Sequence, residues 1–373
     1  MELRASGRLG RVSALTLGGG GIGGVWGATD RSEAVATVHA ALDGGINMLD
    51  LAPSYGTGFE SELAVADALR GHDSDVMITS KVQLPDDDGR DFAKRIRRSL
   101  HSSLIRLERR HLDVLVLHTQ FRRQGTVLSG TVDPAGYRDE IVPVFESLRD
   151  EGLIRAWGIT AVGDPEPLLE AFGAAAGPPA PQPDATGAAA GSPAPQPDAT
   201  GAATGSPAPQ PDATGAATGS PAPQPEAFGA VPRPDTAQIV VNALDQSGDL
   251  WIHGDGVRPD NAGLVRAAAS AGITVTAIRA VAAGSLADAL DRSVPADHPA
   301  AVDFARAAPF RALAASFGES AASLAHRYAL SVPGVTTVIL GVKNRTELAE
   351  CLAAEARGPL TADELKAISA LTD

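Results

Sequence analysis

Short apolar runs of β character alternate with stretches of helical periodicity along most of the chain. Runs at 15–17, 47–50, 76–80, 112–118, 156–159, 238–242, 274–277 and 336–340 are too short for stable helices and read as strands. Helical spacing fills 31–42, 61–69, 91–106, 141–151, 165–172, 262–271, 309–330 and 345–356, with the seventh broken near Gly318. Glycine stands where a helix should stop before the next strand, in Asp43-Gly44-Gly45, Glu151-Gly152 and Ala271-Gly272. Eight such alternations predict βα units around a parallel sheet, and eight units suit a single-domain, closed (β/α)8 TIM barrel better than an open sheet. A doubly wound fold would open a helix on a dinucleotide fingerprint after the first strand. The run Gly18 to Gly24 has related spacing, but Val25-Trp26-Gly27 does not read as a helix start, so the run is expected to be a loop lining a pocket.

One segment breaks the alternation. From Gly173 to Phe228 a 14-residue unit, such as GAATGSPAPQPDAT, occurs four times. It has almost no large apolar side chain to bury and cannot offset its own ordering entropy, so it is expected to be disordered, with polyproline II character at each PAPQP. A solenoid would need an apolar face in each unit. Glu170-Ala171-Phe172-Gly173-Ala174 recurs 56 positions later as Glu226-Ala227-Phe228-Gly229-Ala230, which marks a tandem expansion inside one connection. The expected organisation is a barrel from 1–172 and 231–373, with a disordered low-complexity insertion at 173–230 between helix five and strand six.

Charge and composition narrow the partners. A net charge of -14 argues against a nucleic-acid partner, which usually meets a basic face. No 18-residue apolar run predicts a membrane span, and the charged start carries no leader, so a cytoplasmic location is expected. Cys351 is the one cysteine, which excludes an internal disulfide, and the eight histidines lack metal-binding spacing, so no metal is expected.

In a barrel of this kind chemistry gathers at the carboxyl ends of the strands. Those positions here include Asp50, Lys81 and His118, with Tyr55 in the loop after Asp50. Each has an ordinary reading alone: a loop cap, a solvated cation, a histidine satisfied by backbone, a rim aromatic. The chain has only three tyrosines and four lysines, so their convergence on one rim with an acid and an imidazole favours a catalytic set.

The stretch Asn47-Met48-Leu49-Asp50-Leu51-Ala52-Pro53-Ser54-Tyr55-Gly56 resembles the aldo-keto reductase signature in which D-T-A-x-x-Y-G follows G-I-N. Gly44-Gly45-Ile46 before it, Ser61-Glu62 after it, Ile78-Thr79-Ser80-Lys81 and Leu115-Val116-Leu117-His118 extend the resemblance over nearly the whole chain outside the repeats. The resemblance implies NADPH-dependent reduction of a small carbonyl substrate, with Tyr55 as proton donor, Lys81 and Asp50 as its tuning pair, and His118 orienting the carbonyl. Physical chemistry supports the set: a free phenol ionises near pH ~10, and a neighbouring cation stabilises the phenolate it becomes.

The resemblance also implies a nicotinamide end and an adenosine end. Gly18 would line the pocket; Gln238 would meet the carboxamide, Thr160 stands where the family places a second amide contact, and Ile278 or Arg279 takes the position of a stacking aromatic. Gly341-Val342-Lys343-Asn344-Arg345-Thr346-Glu347 resembles the loop and helix start that hold the adenosine 2'-phosphate, where Lys343 and Arg345 at a helix N-terminus suit an anion. Trp26 and Phe121 are candidate substrate walls, and Arg122-Arg123 hints at an anionic or polyol substrate. Two rival functions are a cofactor-binding, redox-sensing regulatory subunit of the same fold, and a scaffold whose Pro-rich repeats recruit a weak partner that reads polyproline II.

Overall fold

The computed structural model describes residues 1–72, 75–84, 91–123, 130–174, 231–246, 248, 258–291 and 293–371. The repeats expected as an insertion therefore lie, from 175 to 230, outside the described residues.

In chain order the strands are β1 (Leu3–Ser6), β2 (Gly10–Ser13), β3 (Leu15–Gly18), β4 (Met48–Asp50), β5 (Met77–Val82), β6 (Leu112–Leu117), β7 (Gln120–Phe121), β8 (Thr131–Val132), β9 (Ile154–Thr160), β10 (Thr236–Val240), β11 (Thr274–Ile278) and β12 (Val335–Leu340). The helices are α1 (Gly19–Ile22), α2 (Arg31–Asp43), α3 (Glu60–Leu69), α4 (Phe92–Arg106), α5 (Val142–Asp150), α6 (Pro165–Ala171), α7 (Asn261–Ser270), α8 (Pro299–Arg306), α9 (Ala308–Ser316), α10 (Ala321–Ser331), α11 (Arg345–Ala356) and α12 (Ala362–Ser369). Strands β3, β4, β5, β6, β9, β10, β11 and β12 pair in that order, all parallel, and β12 returns to β3 with Val338, Ile339 and Leu340 opposite Leu15, Thr16 and Leu17. The eight expected strands thus close into the expected barrel.

Alternation along each strand sorts its side chains. Leu115 and Leu117 of β6, like Trp157 and Ile159 of β9, join the large apolar layer beneath the helices. Val114 and Val116, with Met48, Met77 and Ala156, belong to a separate inner cluster that also takes Leu9 and Val12. The last two come from the β1–β2 hairpin and its turn, which therefore packs under the amino-terminal mouth of the barrel. Ser6 Oγ lies 2.9 Å from Thr274 Oγ1, tying the hairpin to β11.

Side chains set the helix starts. Asp30, Asp91 and Asn344 accept backbone N–H groups at the first turns of α2, α4 and α11, and Thr361 with Glu364 forms a capping box at α12. The helical interval 309–330 divides into α9 and α10 around Gly318, whose φ of +70° a side chain would resist. Five features depart from the sequence reading. The hairpin, α8 and α12 are additional, a π-helical turn at Gly136–Ile141 precedes α5, and part of the glycine run is not loop but the helical turn α1.

Candidate active site

Because inward positions recur every second residue, the inward series of the strands runs straight into the rim. It reads Met48 then Asp50 on β4, Met77, Thr79 and Lys81 on β5, and Val114, Val116 and His118 at and just past β6. Asp50, Tyr55, His118, Thr160 and Gln238 all border a cavity of about 690 Å³ at this end. Lys81, 1% exposed, is packed just beneath it.

Lys81 donates from Nζ to Asp50 Oδ2 and, at 3.0 Å, to the Leu51 carbonyl. Gln238 Nε2 donates to the other Asp50 oxygen at 2.6 Å. The ammonium stands 4.7 Å from the centre of the Tyr55 ring. The Tyr55 backbone is fixed on both sides, its N–H donating to Ala52 O and its carbonyl accepting from Ser61 N–H, each at 3.1 Å. The Ser61 hydroxyl closes the same turn on Ala52 O at 3.1 Å. Gly56, at φ +89°, follows directly, and a Cβ there would run into the Gly23 carbonyl. The glycine run thus has a packing cause: it lets α1 and its flanks pass against the Tyr55 turn and the Leu340–Val342 backbone.

Electrostatics keep the set in defined protonation states. Burial works against the Lys81 ammonium, but the Asp50 carboxylate and then Tyr55 outweigh it and hold the pKa above the usual lysine range. Burial pushes the Tyr55 phenol up, and the Lys81 charge only partly opposes it. Desolvation outweighs the neighbouring cation, so the Tyr55 hydroxyl stays protonated near pH 7 with the Lys81 ammonium beneath its ring. For His118, burial first and the Lys81 charge second lower the pKa to about 3, so the imidazole is neutral near pH 7. Its Nδ1 is buried without a hydrogen-bond partner.

The remaining expected contacts divide. Gly18, Trp26, Ile278, Arg279, Gly341, Lys343 and Glu347 border the same cavity. So does Thr160, whose buried hydroxyl has no partner. Trp26 lies across Gly341 and against Gly20, where a Cβ would run into its indole nitrogen. Phe121 is a correction: it is 0% exposed, packs on the Tyr137 ring at 5.0 Å, and belongs to the apolar layer rather than to the cavity wall. The Arg122-Arg123 pair is likewise engaged elsewhere, Arg122 donating to Gln120 and Arg123 pairing with Glu166. Arg345 does not line the cavity; its backbone N–H and guanidinium both donate to Glu33, on α2. Asp291 and His326, which the sequence did not single out, also border the cavity, and so does Cys351, at a position where the family often has an asparagine. His326 is buried with Nδ1 2.7 Å from Ala322 O, and the Cys351 sulfur lies 3.8 Å from the same nitrogen.

The sequence profile of the aldo/keto reductase family matches residues 14–172 and 232–373, two blocks that bracket the repeats, and the chain belongs to that family. L-galactose dehydrogenase of Arabidopsis thaliana is 34% identical over 168 residues, covering 43% of this chain and 49% of that protein. The aldo-keto reductase YhdN of Bacillus subtilis is 33% identical over 156 residues, 40% of this chain and 43% of its own. The matched region spans about half the length of these curated relatives or less. The glycerol dehydrogenase of Gluconobacter oxydans superposes with a TM-score of 0.65 at 21% identity, covering 99% of this chain and 94% of that one, a likeness of fold. Among the described residues, no helix is long and apolar enough to cross a membrane, and no three His, Cys, Asp or Glu side chains are grouped to hold a metal.

Proposed function

We propose that this chain interconverts a carbonyl compound and its alcohol, with a nicotinamide dinucleotide as redox partner and Tyr55 as the proton carrier. The observation that carries the reading is the buried Lys81 ammonium, clamped by Asp50 and Leu51 and seated 4.7 Å from the Tyr55 ring centre. A cation so placed has no surface-solubility role, and it lowers the free energy of a phenolate that forms transiently above it.

The cavity suits an extended dinucleotide. It runs from Tyr55 and His118 to Lys343 and Cys351, is floored by glycines at Gly18, Gly20 and Gly341, and holds the unpartnered Thr160 hydroxyl. Thr160 and Gln238 would hold the carboxamide, Ile278 and Arg279 would flank the ring, and the Gly341–Glu347 loop would hold the adenosine end. When bound, the dinucleotide supplies or accepts the hydride. In reduction, the Tyr55 hydroxyl delivers a proton to the carbonyl oxygen; in oxidation it takes one from the alcohol. His118, neutral, orients that oxygen without competing for the proton. Lys81 stabilises the phenolate while Asp50 and Gln238 keep Lys81 in place.

The relatives' names put sugars and polyols first among the compounds to try. Turnover is followed by nicotinamide absorbance with aldehydes and ketones in one direction and alcohols in the other, using NADH and NADPH in parallel. Tyr55-dependent turnover of any member supports the reading. Tight dinucleotide binding with no turnover across the panel would instead favour a sensor role.

A further inference from the structure

At the end of the cavity remote from Tyr55, the chain's own carboxylates occupy the groups that would receive a phosphate. Lys343 Nζ is bonded to Asp291 Oδ2 at 2.5 Å and to Glu347 Oε1 at 3.2 Å. The Lys343 backbone N–H donates to Glu347 Oε2 at 2.9 Å, and Asn344 Nδ2 lies 3.4 Å from Glu347 Oε1. Glu347 thus takes an ammonium, a backbone N–H and a side-chain amide at once, the donor set of an anion site. Asp291 and Glu350 border the same part of the cavity, while Arg345 is turned out to Glu33. The phosphate site expected from Lys343 and Arg345 is already satisfied by carboxylates, and its surroundings are acidic.

Resting on the reading of the cavity as a dinucleotide site, we infer that it selects a nucleotide with a free 2'-hydroxyl, NADH over NADPH, and that Glu347 and Asp291 are the selecting residues. A ribose hydroxyl is a donor and meets the Glu347 carboxylate as its acceptor, the arrangement by which acidic residues recognise unphosphorylated ribose. A 2'-phosphate monoester is an acceptor carrying more than one negative charge near neutrality. To reach Lys343 it must displace Glu347 and then lie between Asp291 and the displaced carboxylate. Repulsion against the wrong ligand, together with a hydrogen bond to the right one, gives the discrimination.

The test is calorimetric titration of the full chain with NADH and with NADPH at fixed salt. NADH should bind about tenfold or more tightly, a gap readable in Kd without turnover. Glu347→Gln keeps the side-chain shape at the cavity edge while removing the charge, so it should weaken NADH, tighten NADPH and close most of the gap. Asp291→Asn should tighten NADPH and narrow the gap from that side. In the wild type, higher salt should shrink the gap, because screening acts on the phosphate's repulsion. Equal or tighter binding of NADPH would overturn the inference while leaving the dinucleotide reading intact. An NADH preference untouched by both variants would remove Glu347 and Asp291 as its cause. Binding of neither nucleotide would overturn both readings.

Discussion

Gln238 and Asp50, 188 positions apart, meet across the barrel at 2.6 Å, so the carboxylate that clamps Lys81 is itself gripped from the opposite wall. Lys81 and Gln238 between them occupy both Asp50 oxygens.

Removing the ammonium alone leaves that carboxylate buried with one neutral partner. Lys81→Met should cost about 3–5 kcal/mol of unfolding free energy, the scale for breaking one side of a buried pair. Combining it with Asp50→Asn should recover much of the stability but none of the turnover. Urea denaturation with kinetics on all three variants separates the two effects. Additive stability losses would contradict a coupled pair.

Tyr55→Phe deletes one hydroxyl and almost no volume. Turnover should fall by roughly 10²-fold or more, the scale for a general acid, while dinucleotide Kd stays within a factor of about two. Turnover close to the parent's would remove Tyr55 from the chemistry.

His118 predicts a pH dependence of known sign. Its folded value of about 3 lies below the ordinary 6.5, so between those pH values the unfolded chain binds a proton that the folded chain refuses. That difference lowers stability progressively as pH falls from 6.5 toward 3, and it vanishes above 6.5. His118→Gln should therefore lose less stability than the parent between pH 7 and pH 5, measured by denaturant midpoints (about two units spanning the window). Identical slopes would mean that His118 is protonated in the folded protein.

The repeats should be dispensable. Helix α6 ends at Ala171, β10 starts at Thr236, and such αβ connections reach the strands at the face opposite the rim. Deleting Ala174 to Gly229 joins the two blocks matched by the family profile through a short linker. Closing a long loop costs only about 0.6 kcal/mol per doubling of length, so the variant should melt at a similar or slightly higher temperature with unchanged kcat and KM. A folded deletion variant without activity would place the segment at the cavity or on a required partner.

What sequence could show followed from local rules. The eight strands were legible as short runs bounded by glycine, and Asp50, Lys81 and His118 were legible because each stands at a strand's carboxyl end. Tyr55 was legible from its place in the loop after Asp50 and the scarcity of tyrosines, and the surrounding motif gave it a role. Phe121 misled because an aromatic just past a strand end looks like a rim residue, whereas Phe121, bridged to Gly163, packs on Tyr137 in the apolar layer. Lys343 was legible as a cation at a helix start, but its pairing with Asp291, 52 positions away, is announced by no periodicity. The packing role of the glycine run depends equally on backbone segments remote in sequence, at Tyr55 and Val342.

The β1–β2 hairpin has a kinetic consequence. With Leu9 and Val12 seated against Met48 and Met77, the packed interior is sealed at its amino-terminal end, so a ligand reaches the cavity from the rim side. If the proposed dinucleotide and carbonyl compound are held there together, the one nearer the packed interior would arrive first and depart last. Under that constraint the lifetime of the deeper ligand is set partly by the occupancy of the shallower one. Product-inhibition patterns would read out which of the two lies below.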